Sequence, residues 1–220
     1  MTDRGKVPVD IICPQSPSLA FLILTSLFVG SLVIAAVLAV KIVQIWRIVV
    51  PAGVIAYSLT FMVTDTISEI WGKKTANRVV VAGFVTLSIV FILIWVAIKL
   101  PAAGFWQDVG AYNAVLNQGL RIIIASLAAY IMSQFHDVWA FHYWRKVTGA
   151  RHLWLRNNLS TWASQFIDTV VFILIAFAGT DKPVFDMIWG QYVAKIIIAA
   201  ADTPFVYLLV FTLRRAKSDI

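Results

Sequence analysis

Six long apolar runs constrain this chain more than any other feature. Each is about as long as the roughly 20 residues that a helix needs to cross the hydrocarbon core of a bilayer. The predicted spans are 19–43, 48–70, 79–99, 119–137, 158–178 and 187–213. Charged residues make up 13% of the chain, against roughly 25% in soluble domains. The sequence therefore predicts an all-α integral membrane protein with six transmembrane helices.

Lysine and arginine residues predict the orientation of these spans. Six spans place both termini and the even-numbered loops on the same side of the membrane. That side carries Arg4, Lys6, Lys73, Lys74, Arg78, Arg145, Lys146, Arg151, Arg156, Arg214, Arg215 and Lys217, and the opposite side carries Lys41, Arg47, Lys99 and Lys182. Basic loops remain in the cytoplasm. We expect a protein of the inner (plasma) membrane with a cytoplasmic N-terminal segment (1–18), a six-helix transporter domain (19–213) and a basic cytoplasmic tail (214–220).

Several function classes lack their sequence signals. The basic residues do not form one patch or stripe, so no nucleic-acid partner is predicted. The chain contains neither a phosphate-binding glycine motif nor a nucleophile motif, and its three histidines lack a compact metal-site spacing. The single cysteine, Cys13, excludes an internal disulfide. We therefore expect no enzyme activity, no catalytic residue, no cofactor and no metal site.

Polar side chains recur inside the spans at helical spacing. A charge in the bilayer core costs about 2.5–3.5 kcal/mol on insertion scales, so such residues are expected to face a cavity or a partner. The polar stripes are Asp65 and Glu69 on the second span, Ser126, Tyr130, Ser133 and Asp137 on the fourth, Asn158, Thr161, Gln165, Asp168 and Phe172 on the fifth, and Gln191, Lys195 and Asp202 on the sixth. Each stripe occupies one helix face. We expect the four faces to point at a common interior.

Two explanations account for these stripes. Lys195 could pair with Asp202 or Asp168 and simply neutralise buried charge. However, acids outnumber bases in the interior, and uncharged polar groups share the fifth stripe with Asp168, which favours a site for a polar ligand. The candidate binding residues are Asp65, Glu69, Asn158, Thr161, Gln165, Asp168, Phe172, Lys195 and Asp202.

Two shorter patterns bear on packing. The segment 133–137 (SQFHD) resembles 164–168 (SQFID), and transporters are often built from repeats that place ligand sites near the midplane. The first span carries a patch of small residues at Ala35, Ala36 and Ala39. This patch predicts either close helix packing or the docking of a partner protein.

Four features of the sequence point to a known family. They are FMVTDTISEIWGKKTA, ASLAAY, Ser133-Gln134 with Asp137, and WLRNNLSTWASQFIDTVVFILIAF. These features resemble the VUT family, which includes the YhhQ-type queuosine precursor transporters. The resemblance implies uptake of 7-cyano-7-deazaguanine, 7-aminomethyl-7-deazaguanine or related 7-deazapurines for tRNA modification. It also implies a six-helix fold similar to the substrate-binding components of energy-coupling-factor transporters.

A 7-deazaguanine fits the predicted polar interior. Its guanine edge presents adjacent N–H donors, which a carboxylate accepts in a bidentate manner. The candidate acceptors are Asp65, Glu69, Asp168 and Asp202. Gln165, Asn158 and Asn157 are the candidates for the ring carbonyl and nitrogens, and Phe61, Trp162 or Phe172 are the candidate stacking partners. Lys195 would be a counter-ion to the carboxylate of an empty site.

Alternating access around this interior is the predicted mechanism, and the sequence is compatible with both proton coupling and facilitated diffusion. The alternative is a substrate-binding subunit of a multi-component vitamin or nucleobase uptake system, which would need separate energising ATPases. The alternating-access hypothesis does not require such partners. A homodimer is compatible with both of these hypotheses. A third alternative is a structural membrane scaffold, which would bind no ligand at all.

Overall fold

Long helices dominate the computed structural model, which describes residues 18–39, 41–45, 48–116, 120–149, 151–179 and 184–218. They are α1 Leu19–Leu38, α2 Gly53–Trp71, α3 Lys73–Lys99, α4 Val109–Leu116, α5 Leu120–Val147, α6 Leu153–Phe177 and α7 Val184–Ser218. All except α4 contain at least 19 residues. Within the described residues, five helical stretches are long and apolar enough to cross a membrane, and the sixth long helix, α2, is more polar and more buried. The predicted six-helix architecture is confirmed.

The first boundary differs from the prediction. Helix α1 ends at Leu38, and an antiparallel hairpin follows, with β1 at Ile42–Ile45 and β2 at Ile48–Pro51. Both strands are rich in Ile and Val, whose branched side chains favour strands. An apolar run of this composition does not distinguish a strand from a buried helix by periodicity. The predicted first and second spans therefore included residues that form the hairpin.

Later boundaries differ because helices continue past the apolar spans. Helix α5 extends to Val147, ten residues past the predicted end of the fourth span at position 137. No glycine or proline interrupts α5, and the left-handed Gly149 follows its end. Helix α7 likewise runs into the predicted basic tail. The short helix α4 was not predicted, and residues 1–17 of the predicted N-terminal segment, including Cys13, lie outside the described residues.

Close packing of small residues joins α1 to α2. A Cβ atom added to Gly53 would clash with the backbone carbonyl of Ala35 and lie 3.0 Å from the nitrogen of Ala39. The backbones of the two helices can approach only because residue 53 has no side chain. The small-residue patch on α1 therefore serves close helix packing.

Helix α6 runs antiparallel to α2, α5 and α7. Its Asp168 contacts Tyr57 of α2, Ser133 of α5 and Lys195 of α7. Nearer the start of α6, Asn158 contacts Thr203 of α7. Toward the beginning of α6, its contacts therefore move to later residues of the other three helices.

Polar contacts fix both ends of α6. The Arg121 guanidinium donates to the carbonyls of Ile175, at 2.6 Å, and Ala178. At the other end, the backbone N–H of Trp154 donates to the Tyr207 hydroxyl at 3.0 Å. These bonds satisfy backbone groups that a helix end leaves without an intrahelical partner. They hold α6, which carries the longest predicted polar stripe, in a defined position.

Candidate functional site

Asp168 is the centre of a buried group that we call the lysine layer. Its Oδ2 accepts a hydrogen bond from Lys195 Nζ at 2.5 Å, and its Oδ1 accepts from Tyr57 Oη at 2.7 Å and from Ser133 Oγ at 3.2 Å. The Lys195 ammonium also lies 5.4 Å from the centre of the Tyr57 ring, within the range of a cation–π contact. Of the two pairings predicted for Lys195, the structure contains the one with Asp168. Helices α2, α5, α6 and α7 each contribute one side chain.

Asp65 and Asp137 form a second group, the carboxyl pair. Their side chains face each other between α2 and α5, and the residues are 1% and 0% exposed. Thr161 Oγ1 lies 3.4 Å from Asp65 Oδ2, and Ser164 lies beside Asp137. Thr161 and Ser164 precede Asp168 on α6 by seven and four residues, so the carboxyl pair lies about one to two helical turns from Asp168.

Glu69 lies in a third group, the arginine layer. Its Oε2 is 2.5 Å from Arg156 Nη2 and 3.7 Å from Arg145 Nη1, and its Oε1 accepts from Arg214. At about 1.5 Å per helical residue, Arg156 lies roughly 18 Å along α6 from Asp168. Glu69 therefore joins the ends of four helices, at a distance from the lysine layer.

The charges of the buried groups do not balance. Among the described residues, the buried charged side chains are Asp65, Glu69, Asp137, Asp168, Arg156 and Lys195. Lys195 neutralises Asp168 and Arg156 neutralises Glu69. The surplus of acid is located at the carboxyl pair. Asp65 and Asp137 are thus the buried acids of the described residues that neither Lys195 nor Arg156 directly pairs with.

The remaining predicted residues lie along the same interior. Asn158 Nδ2 donates to Thr203 Oγ1 at 2.8 Å. Gln165 is buried, and its Oε1 has no hydrogen-bond partner in the described part of the chain. Phe172 continues the stripe toward the end of α6 and contacts the Phe177 ring edge-on at 6.2 Å. Asp202 is half-buried and lies beside Ser58 of α2.

The similar segments 133–137 and 164–168 contact each other reciprocally. Ser133 of the first segment donates to Asp168 of the second. Ser164 of the second segment lies beside Asp137 of the first. Because α5 and α6 are antiparallel, the serine of each segment meets the aspartate of the other. The sequence similarity thus corresponds to a local two-fold arrangement.

Sequence reasoning did not select Tyr57 or Asp137 as site residues. Asp137 was assigned to a polar stripe, but its neighbour Asp65 comes from a distant part of the chain. Tyr57 lies eight residues before Asp65 and therefore about 80° from it around α2. A tyrosine at that spacing from two acids was the available signal. Gln134, which donates to Thr60 at 3.0 Å, was also missed.

Comparison with known families identifies the chain. The sequence profile of the family described as "Putative vitamin uptake transporter" matches residues 51–209, a range that includes all three buried groups except Arg214. The chain belongs to this family. The resemblance seen in the sequence is therefore confirmed, and this uptake transporter is a multi-pass membrane protein.

Named relatives of this uptake transporter come from three bacteria. A "Probable queuosine precursor transporter" of Bacillus subtilis (strain 168) is 30% identical over 175 residues, which cover 76% of this chain and 75% of the relative. The "Queuosine precursor transporter" of Escherichia coli (strain K12) is 30% identical over 125 residues, 57% of this chain and 54% of the relative. A "Probable queuosine precursor transporter" of Haemophilus influenzae is 27% identical over 151 residues, 66% and 62% respectively. No solved structure matches the chain.

Proposed function

We propose that this transporter imports 7-cyano-7-deazaguanine, 7-aminomethyl-7-deazaguanine or a related 7-deazapurine by alternating access around the lysine layer. The observation that carries the proposal is the environment of Asp168. This buried carboxylate accepts hydrogen bonds on both oxygens from donors of α2, α5 and α7. Adjacent N–H groups on a guanine edge have the geometry to replace such donors. The names of the relatives support this substrate class.

Groups next to Asp168 supply the other contacts that a deazaguanine needs. Gln165 lies almost one turn away on the same face of α6, and its amide can donate to the ring carbonyl and accept from a ring N–H. The Tyr57 and Phe61 rings meet edge-on with centres 5.6 Å apart. Either ring offers an apolar face for a flat heterocycle, since base–aromatic stacking tolerates different ring systems. These contacts support Gln165, Asp168 and Tyr57 as the principal binding residues.

The carboxyl pair supports a second part of the proposal, which is proton coupling. Acidic groups inside transport proteins commonly act as proton relays. Asp65 and Asp137 carry the surplus acid of the interior, so a proton or the ammonium of an aminomethyl substrate could neutralise it. Uptake into proteoliposomes tests this role. Proton coupling predicts that a protonophore reduces the initial rate under an inward proton gradient, and an unchanged rate would leave facilitated diffusion.

Ligand binding tests the substrate. The purified protein in detergent is heated with 7-cyano-7-deazaguanine, 7-aminomethyl-7-deazaguanine or guanine. A ligand that binds only the native state must raise Tm. We expect a rise with the deazaguanines that is absent in Asp168→Asn and retained in Asp186→Asn, because Asp186 is an exposed carboxylate on α7. No rise in the wild-type protein at saturating concentration would contradict the substrate assignment.

The same preparation discriminates a stand-alone carrier from a substrate-binding subunit. The small residues of α1 already pack against α2 at Gly53, so their presence does not require a docking partner. We therefore expect uptake into proteoliposomes that contain this chain alone. Binding without uptake, restored by an ATPase-containing membrane fraction, would favour the multi-component alternative.

The orientation of the bundle is part of the proposal. Helix ends on the side of the arginine layer carry Lys73, Lys74, Arg145, Lys146 and Arg215. Because basic segments remain in the cytoplasm, we place this layer, and with it both termini, on the cytoplasmic side. Accessibility of an introduced cysteine near Lys73 to a membrane-impermeant maleimide in intact cells tests the orientation. Labelling before lysis would reverse it.

A further inference from the structure

Lys195 occupies the position on Asp168 that the proposed substrate would need. Its Nζ lies 2.5 Å from Oδ2, and the two side chains are 7% and 8% exposed. Tyr57 and Ser133 occupy Oδ1. A carboxylate offers about four acceptor positions, and these three donors occupy three of them, so a substrate edge with two N–H groups can bind only if one of the donors leaves.

Lys195 is the donor best able to leave. Its ammonium sits on a flexible four-carbon stem, whereas Tyr57 is a rigid ring in edge contact with Phe61. The Ser133 hydroxyl has a single proton, which can turn to the backbone carbonyl of Tyr130 at 3.2 Å and so free a position on Oδ1 but not on Oδ2. On Oδ2 a substrate N–H competes with Lys195, and displacing Lys195 requires only rotation of its own side chain.

A displaced ammonium has acceptors within the bundle. The Tyr57 ring centre is 5.4 Å from Nζ, near enough for the ammonium to remain over the ring. One turn earlier on α7, the Oε1 atom of Gln191 is buried, with no hydrogen-bond partner in the described ranges. Side chains four residues apart on a helix are neighbours. The lysine can thus exchange one set of contacts for another inside the protein.

Pro204 lies inside α7, after the Lys195 contact with Asp168 and before the contacts of Tyr207 and Arg214. Lys195 lies before it, and Tyr207, which accepts from Trp154 of α6, and Arg214, which donates to Glu69, lie after it. A proline inside a helix removes a backbone hydrogen bond and is a usual place for bending. The turns of α7 up to Lys195 can therefore move while the residues from Thr203 onward stay attached to α6 and α2.

We propose that Lys195 is an internal competitor of the substrate, a latch that holds α7 against α6 until a ligand takes its place on Asp168. This inference rests on the proposed function. Substrate binding replaces the Lys195–Asp168 contact, and the freed first half of α7 then moves. A ligand shifts a conformational equilibrium only through a difference in its affinity for the two states. Competition for one carboxylate provides that difference.

Two measurements on Lys195→Met test the latch. Methionine keeps an unbranched side chain of similar length and removes the charge. We expect 7-aminomethyl-7-deazaguanine to bind at least tenfold more tightly by calorimetry, because no lysine competes, and initial uptake to fall at least tenfold, because binding no longer releases α7. Lys99→Met, at an exposed position near the end of α3, is the matched control and should change neither quantity.

The outcomes separate the latch from the proposed substrate. If the wild-type protein binds no deazaguanine, the proposed function fails. If the wild-type protein binds and Lys195→Met binds equally or more weakly, the latch is wrong and Lys195 is a substrate contact or a structural counter-ion.

A second measurement keeps Lys195 in place and so does not depend on the folding of the methionine variant. In a Cys13→Ser background, spin labels are attached at the exposed positions Ala163 of α6 and Val193 of α7. Saturating ligand should increase the distance between them. An unchanged distance in a protein that binds ligand would overturn the latch.

Discussion

Removal of the Glu69 charge should destabilise the protein strongly. The Glu69 side chain is 1% exposed and its partner Arg156 is 2% exposed, with 2.5 Å between Oε2 and Nη2. Glu69→Gln preserves the shape of the side chain but leaves the Arg156 guanidinium without its carboxylate. Removing one partner of a buried ion pair costs about 3–5 kcal/mol, because the other charge stays buried. We expect a loss of that size in the free energy of unfolding.

The exposed arginine of the same layer provides a matched comparison. The Arg214 side chain is 61% exposed although it contacts the same carboxylate. Exposed ion pairs contribute about 0–1 kcal/mol, since water screens them and side-chain entropy opposes them. Arg214→Gln should therefore cost less than about 1 kcal/mol. Arg156 and Arg214 both contact Glu69, but only Arg156 is buried. The difference between the two losses of stability therefore measures the effect of burial rather than of proximity.

Unfolding in mixed micelles, with increasing dodecyl sulfate and circular dichroism as the readout, measures both costs. The double variant Glu69→Gln/Arg156→Gln completes a mutant cycle. Because the double variant leaves no unpaired charge between these two residues, its cost should be smaller than the sum of the single costs by about 1–3 kcal/mol. The cycle isolates the pairwise contribution from general effects of each substitution.

Two results would refute this reasoning. One is a Glu69→Gln variant that unfolds within about 1 kcal/mol of the wild-type protein. The other is strict additivity in the cycle. A variant of unchanged stability that no longer binds deazaguanine would instead make Glu69 a substrate contact, as the sequence suggested.

Three further predictions follow from the other contacts. Gly53→Ala should cost about 1–3 kcal/mol of stability in the same assay, because its Cβ meets the Ala35 carbonyl. Gly104→Ala, which has open space around it, should be nearly neutral, and equal effects of the two substitutions would contradict the packing of α1 on α2. Asp137→Asn should make uptake insensitive to a protonophore, with Asp186→Asn retaining the wild-type response; sensitivity preserved in Asp137→Asn would exclude the carboxyl pair as the proton site. Exchanging Ser133 and Asp168 as Ser133→Asp/Asp168→Ser should partly restore the ligand-induced rise in Tm that Asp168→Ser alone abolishes, because the two side chains are 3.2 Å apart; no restoration would mean that the carboxylate must come from α6.

The helical spans were predictable because apolar length and helical period are local properties of the sequence. The hairpin at Ile42–Pro51 was not, since a run of Ile and Val is compatible with a strand and with a buried helix. The continuation of α5 to Val147 was missed for a different reason. Its last turns contain His, Trp and Arg, which end an apolar span without ending a helix.

The polar face of α6 was likewise predictable from its period, and Asn158, Thr161, Gln165 and Asp168 are all buried. The residues that these side chains contact on other helices were not predictable. Lys195 and Asp202 share one face of α7. Choosing between Asp168 and Asp202 as the partner of Lys195 therefore requires knowing how far α7 is shifted along its axis relative to α6. The contact between Glu69 and Arg156 depends on the same kind of information for α2. Sequence periodicity gives the direction of a side chain but not its level along the bundle.

The reciprocal contacts of the two SQFxD segments show why that level matters for function. Asp137 and Asp168 occupy equivalent places in a local two-fold arrangement of α5 and α6. However, the side chains that reach them from the other helices differ in charge. Asp168 meets Lys195 from α7, and Asp137 meets Asp65 from α2. The repeated segments therefore supply two similar carboxylates, and the helices packed around them make one a paired, displaceable site and the other an acidic one. In this architecture α2 and α7, rather than the repeat itself, would assign the substrate to one carboxylate and the compensating positive charge to the other.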